Sequence, residues 1–176
     1  KVIAFDLDGT LLDSADDLIY CLNHILKKNS QKEVNKKHIF NLLGNGALAM
    51  IKESYNINKK IESQANFEKL KDQFLQFYKD NYANKSKLFP YCLDTLKTLK
   101  KNNFKLVIVS NKPHLFVNKI LKHFNIYKFF SSISGGDTFS YRKPDPRHLL
   151  STIENAGVLN YDCCFVGDSI NDAICA

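Results

Sequence analysis

No apolar stretch in the 176-residue chain approaches the length that crosses a membrane. The short apolar segment after Lys1 runs directly into Asp6, which is not the pattern of a secretory signal. A cytoplasmic location is therefore expected, without a membrane partner. Cysteine is sparse and unpatterned. Cys21, Cys92, Cys163, Cys164 and Cys175 are odd in number and show neither C-x-x-C nor His-paired spacing, so a disulfide framework and a thiolate zinc site are both disfavoured. Reduced, mostly buried thiols are the expectation. Charge of one sign is not concentrated anywhere: Lys plus Arg number 25 against 18 Asp plus Glu, a net +7, but the lysines are scattered among asparagines. That is a solvated basic surface suited to an anionic partner, not the stripe that tracks nucleic acid, and no nucleic-acid partner is expected. Internal repeats and low-complexity linkers are lacking as well. A calcium loop is excluded by spacing, because counting from Asp6 makes Gly9 the fourth residue and Asp17 the twelfth.

What the chain does have is a recurring unit, an apolar run that ends in polar residues. Val2-Ile3-Ala4-Phe5 leads into Asp6-Leu7-Asp8-Gly9-Thr10. A near-continuous apolar run is the signature of a parallel strand buried on both faces, and open α/β sheets place ligands outside the carboxyl ends of such strands. If extension persists past Phe5, Asp6 and Asp8 point the same way and can face one metal or phosphate, although Gly9 permits a sharp turn. The ordinary reading of Asp-x-Asp-Gly is an acidic turn. Lys105-Leu106-Val107-Ile108-Val109-Ser110, the shorter Ser132-Ile133-Ser134, and Cys163-Cys164-Phe165-Val166 before Gly167-Asp168 repeat the pattern. Helical spacing intervenes at Leu93, Leu96 and Leu99, at Phe116 through Phe124, and at Leu149, Ile153 and Ala156, closed by Gly157. Alternation of this kind predicts a Rossmann-like, doubly wound parallel sheet.

Residues 14–87 interrupt the alternation with helical periodicity alone. Leu18, Cys21, Leu22, Ile25 and Leu26 form one stripe, and Leu70, Phe74, Phe77 and Tyr78 another. An inserted helical module is expected there, with residues 1–13 and 88–176 forming the sheet domain. Ser14 reads as the cap of the opening helix, and Asp13, Asp16 and Asp17 as its initiating acids.

Three further segments carry chemistry. Ser110-Asn111-Lys112-Pro113 offers a hydroxyl, an amide and backbone N–H groups to a phosphate, against the ordinary reading of Ser110 or Asn111 as a helix cap. In Arg142-Lys143-Pro144-Asp145-Pro146 two prolines stiffen a loop that can hold Lys143 as a fixed cation, with Asp145 and Pro146 suited to open a helix. Gly167-Asp168-Ser169-Ile170-Asn171-Asp172 supplies two carboxylates four residues apart, one face of a helix. Magnesium takes oxygen ligands and keeps several waters, so one or two of these acids plus Asp6 suffice for it.

These four segments, in this order, resemble the haloacid dehalogenase-like hydrolase superfamily. Gly135-Gly136-Asp137 and the closing Gly-Asp-Ser-x-Asn-Asp are similar to its phosphoglycolate phosphatase branch. The resemblance implies an α/β core with a small helical cap of the C1 type at 14–87. It also implies Mg²⁺-dependent hydrolysis of a small phosphorylated substrate, as monomer or homodimer. Asp6 would be nucleophile and metal ligand, and Asp8 general acid and base with its carbonyl on the metal. Asp168 and Asp172 would complete the metal site; Lys143, Thr10, Ser110 and Asn111 would hold phosphate. Gly44 and Asn45, in Leu43-Gly44-Asn45-Gly46, would read the rest of the substrate from a cap loop. An acid at Asp8 separates this pattern from dehalogenases, and Lys-Thr-Gly-Thr is absent after the nucleophile, unlike phosphoryl-transfer ATPases. Pyrophosphatase, sugar-phosphate phosphatase, phosphomutase and phosphonatase chemistry stay open, as does a non-catalytic phosphate-binding or signalling domain. Family members continue beyond the fourth motif with another strand and helix, so a natural protein longer than 176 residues is expected.

Overall fold

The computed structural model describes residues 1–39, 44–158 and 162–176. In chain order the elements are β1 (Val2–Phe5), β2 (Leu12–Asp13), α1 (Ala15–Lys28), α2 (Lys36–Ile39), α3 (Ala47–Ile57), α4 (Gln64–Tyr78), β3 (Lys87–Leu88), α5 (Cys92–Lys101), β4 (Lys105–Val109), α6 (His114–His123), β5 (Phe130–Ser134), α7 (Pro146–Asn155), β6 (Cys163–Val166) and α8 (Ile170–Cys175). They fall into two compact units, one of Lys1–Asp13 with Lys87–Ala176 and one of Ser14–Ser86.

The first unit is built on a parallel sheet of order β5-β4-β1-β6. β1 pairs with β4 from Val2 opposite Lys105 to Phe5 opposite Ile108, and with β6 from Val2 opposite Cys163 to Phe5 opposite Val166. From β1 the chain steps outward to β4 and then β5, and only then crosses to β6 on the far side of β1. Right-handed crossovers therefore place α5 and α6 on one face and α7 on the other. The core agrees: Val107 and Val109 of β4 cluster with Val2, Ala4, Leu149, Ile153 and Cys175, and the intervening Leu106 and Ile108 are fully buried on the opposite side. Because the strand order reverses at β1, the crevice that such sheets use for ligands opens at the carboxyl end of β1. A two-stranded antiparallel ribbon, Leu12 opposite Leu88 and Asp13 opposite Lys87, was not expected, since two-residue strands are too short to leave a periodic pattern.

The caps are partly as read. Asp145 caps α7 by accepting from the Arg147 N–H at 2.9 Å, with Pro146 in the first turn. Gly157 follows the end of α7 at φ 70, the left-handed geometry that favours glycine. The cap expected from Ser110 or Asn111 is not formed: α6 begins at His114, behind Pro113. Its first N–H is met by Asp137 Oδ1, 2.7 Å away, from the loop after β5.

The second unit is helical. α4 packs on α1 and α3, burying Leu18, Cys21, Leu22, Ile25, Leu26, Met50, Ile51, Tyr55, Leu70, Phe74 and Tyr78. Phe77 is half-buried and lies flat on the His24 ring, with centroids 3.7 Å apart. Asp17 does more than initiate α1. Fully buried, its carboxylate accepts from the Lys85 N–H at 3.0 Å, the Ser86 N–H at 2.8 Å and the Ser86 hydroxyl at 2.6 Å, tying the unit's first helix to its last residues. Among the described residues no helix is long and apolar enough to cross a membrane.

Candidate active site

The extension anticipated past Phe5 does not persist. After Asp6, whose N–H still donates to Val166 O at 3.0 Å, the chain curls so that the N–H groups of Leu11 and Leu12 both return to the Leu7 carbonyl. Gly9 sits in this curl at φ 90, and a Cβ there would lie 2.1 Å from Asp168 Oδ2. Only glycine fits both the angle and the space. The consequence is that Asp6 and Asp8, two residues apart, engage different lysines.

Asp6, 2% exposed, pairs with Lys143 Nζ at 2.8 Å. The same ammonium lies 2.6 Å from Asp172 Oδ1, so Lys143, also 2% exposed, bridges the two acids. Asp172 is itself fixed, because Oδ2 accepts from the Ser169 N–H at 2.9 Å and the Ser169 hydroxyl at 2.6 Å. Ligand oxygens of Asp6, Asp168 and Asp172 all lie within 4.8 Å of one another. Such an all-carboxylate set suits a hard divalent cation of the Mg²⁺ type rather than a soft metal, and Asp168 is exposed enough to admit one. The residues present fit the ion. The Asp8 carboxylate is not part of this group.

Ser110 and Asn111 follow β4 and are buried beside it. Ser110 Oγ accepts from the Lys112 N–H at 3.2 Å, and Asn111 Nδ2 donates to the Lys143 carbonyl at 3.1 Å, so the amide helps seat the Lys143 loop. Thr10 Oγ1 lies 3.4 Å from Asp168 Oδ1. The structure thus gathers Asp6, Asp8, Thr10, Ser110, Asn111, Lys143, Asp168 and Asp172 in one unit. Gly44 and Asn45 belong to the other unit, just before Gly46 at φ 85, while Leu43 of the same expected loop lies outside the described residues.

Two residues of the site were missed by sequence reasoning. Lys112, 7% exposed, donates to both carboxylate oxygens of Asp8, at 3.0 and 2.8 Å. The sequence signals a cation shortly after a buried strand, but not that this strand lies beside β1. His148, fully buried on α7, accepts the Lys143 N–H at Nδ1, 3.1 Å away, and fixes the backbone that carries the bridging ammonium. A lone histidine on an apolar helix face gives no such signal.

Burial dominates the electrostatics. It pushes the Asp6 carboxyl up to about 6 against the pull of Lys143, with Asp172 adding to the rise. Burial by itself lowers Lys143, but Asp6 and Asp172 outweigh it and hold the ammonium above its ordinary value. Asp168 is raised by burial and then by Asp172. His148 falls to about 4, from burial first and Lys143 second, and stays neutral near pH 7. A buried carboxylate, a fixed cation between two acids and an oxygen cluster are together the groups that phosphoryl-transfer chemistry uses.

Comparison with known proteins gives the same direction. The chain is 36% identical over 172 residues, 98% of its own length and 74% of the relative's, to a phosphoglycolate phosphatase of Agrobacterium fabrum. It is 36% identical over 180 residues to a phosphoglycolate phosphatase of Vibrio cholerae, covering 79% of that protein. A solved structure described as a predicted phosphoglycolate phosphatase, from Haemophilus somnus, superposes with a TM-score of 0.91 at 33% identity, over 99% of this chain and 80% of that one. The profile of the haloacid dehalogenase-like hydrolases matches residues 3–176. With the motif order, the sheet and the carboxylate cluster already in place, that match assigns the chain to the haloacid dehalogenase-like hydrolase family.

Proposed function

We propose that this chain is a Mg²⁺-dependent phosphatase that hydrolyses a small phosphate monoester through an aspartyl phosphate on Asp6, with 2-phosphoglycolate as the leading substrate. The observation that carries the reading is the buried Asp6 carboxylate, held by Lys143 at 2.8 Å and grouped with Asp168 and Asp172, while Asp8 is held separately by Lys112. The names of the relatives support the substrate. Residues 14–86 are proposed as the family's cap, with Gly44 and Asn45 in its substrate-reading loop.

The chemistry follows from the roles the geometry permits. An oxygen of Asp6 attacks phosphorus, forming an Asp6 oxygen–phosphorus bond as the ester oxygen leaves. Asp8 donates its proton to that leaving oxygen, releasing an alcohol. In the second step Asp8 takes a proton from water, whose oxygen attacks phosphorus, and Asp6 is regenerated with release of inorganic phosphate. Lys143 neutralises Asp6 and the incoming phosphoryl oxygens together, which lets an anion approach an anion. Ser110, Asn111 and Thr10 would orient phosphate oxygens. Asp6, Asp168 and the Asp8 carbonyl would hold Mg²⁺, with Asp172 chiefly fixing Lys143; the ion, when bound, lowers repulsion between Asp6 and the substrate.

The test is phosphate release from 2-phosphoglycolate, sugar phosphates, pyrophosphate and p-nitrophenyl phosphate, with and without Mg²⁺. Release that needs the ion and disappears in Asp6→Asn is the expected result. No release from any of these compounds by the unaltered chain overturns the reading.

A further inference from the structure

We infer that Lys112 is a positioning residue that holds the general acid and base, Asp8, as a pivot: it grips both carboxylate oxygens at rest and keeps one of them while the other serves the leaving oxygen. This deepens the proposed phosphatase reading and rests on it.

The grip is built. Lys112 and Asp8 are 104 residues apart in sequence, yet Nζ lies 3.0 and 2.8 Å from the two oxygens, in surroundings that leave the side chains 5% and 8% exposed. The backbone under the lysine is held from both sides. Its N–H donates to Ser110 Oγ at 3.2 Å, and its carbonyl accepts from the Gly136 N–H at 2.9 Å. Two residues on, the His114 N–H is taken by Asp137 at 2.7 Å. These contacts give Gly135-Gly136-Asp137 a physical role. A Cβ on Gly135 would lie 2.4 Å from the His114 nitrogen and 2.7 Å from the Lys112 carbonyl, and one on Gly136 would lie 2.4 Å from the Asn111 carbonyl. The two glycines let the loop after β5 press backbone to backbone on the segment that aims Lys112.

That aim matters because Asp8 has two jobs at two moments. A carboxylate with both oxygens on one ammonium is well placed but occupied. Freeing one oxygen, while the other stays on Nζ, opens that oxygen to take up a proton and pass it to the leaving oxygen without letting the group swing away. Lys143 cannot substitute, since it is committed to Asp6 and Asp172. Lysine suits the task better than arginine, being a point donor rather than a planar fork.

The experiment exploits the leaving group. An alkyl ester such as 2-phosphoglycolate needs a proton on its departing oxygen, whereas p-nitrophenolate leaves without one, and kcat/KM reports the step in which that bond breaks. Lys112→Met is expected to lower kcat/KM for 2-phosphoglycolate roughly 100-fold, within the range that general acid catalysis contributes, and that for p-nitrophenyl phosphate by less than about 5-fold. In an Asp8→Asn background the same substitution is expected to add nothing further on the alkyl ester. Lys112→Arg keeps the buried charge, and so the fold, and is expected to show an intermediate loss with the same preference for the alkyl ester. Equal losses on both esters, or full additivity with Asp8→Asn, overturn the role of Lys112 alone. An unaltered chain that hydrolyses neither ester overturns the phosphatase reading itself.

Discussion

Replacing His148 by glutamine removes a titrating ring while keeping an acceptor for the Lys143 N–H, and its effect on stability is set by the fold. The imidazole is fully buried, packs edge-on against Phe139 and has Lys143 as its charged neighbour. Burial first and Lys143 second bring it from 6.5 to about 4. Between those values the unfolded chain holds a proton that the folded chain refuses, so the contribution of His148 is fully present above 6.5 and is lost as pH falls towards 4. At about 1.4 kcal/mol per pH unit, the interval corresponds to about 3 kcal/mol. Asp6, raised to about 6, acts oppositely: its contribution is present below 3.8 and lost as pH rises through 6. The two slopes oppose each other in the unaltered protein, and Asp168, also raised by burial, adds to that of Asp6. The difference between the two proteins isolates the histidine. Urea unfolding followed by circular dichroism at a series of pH values from 4.5 to 7.5 is expected to show the unaltered chain gaining about 2 to 3 kcal/mol over His148→Gln as pH rises. Parallel curves would refute the reasoning, because they require the ring to titrate normally in the folded protein.

Two other substitutions probe separate parts of the molecule. Asp17→Ala strands the Lys85 and Ser86 N–H groups and the Ser86 hydroxyl and is expected to destabilise the helical unit by about 3 kcal/mol, read as earlier hydrogen exchange in α1 and α4 than in the sheet. With Mg²⁺ in the proposed site, the unaltered chain is expected to gain on the order of 5 to 10 °C in melting temperature at a hundredfold excess over its Kd, and Gly9→Ala, which drives a methyl group into Asp168, is expected to lose that gain when measured by calorimetry without substrate.

The parts of the site that the sequence shows are those written locally. β1 is an apolar run that ends in Asp6, β6 one that ends at Gly167-Asp168, and the prolines around Asp145 announce α7, so strand ends and their acids can be read in order. What escapes is set by partners far along the chain. Lys112 reads as one more basic residue until β4 lies beside β1 and brings it to Asp8. The start of α6 is misread because local rules give the cap to Ser110 or Asn111, whereas Asp137, 23 residues away, meets the first N–H. Asp17 carries two meanings at once, a helix-initiating acid by position and a tie to Ser86 by contact, and only the first is local.

The tie between Asp17 and Ser86 also bears on the order in which the chain folds. The sheet depends on pairing Phe5 with Ile108 and with Val166, contacts that span most of the sequence and are slow to find. The helical unit is continuous, from Ser14 to Ser86, and its contacts are local. Once it forms, Asp17 fastens its beginning to its end, and Asp13 and Lys87 are delivered side by side as a ready-made ribbon. The long insertion then costs the search for β4 little more than a short turn would, because loop closure has already occurred within the helices. In this sense the helical unit shortens the search that joins β1 to β4.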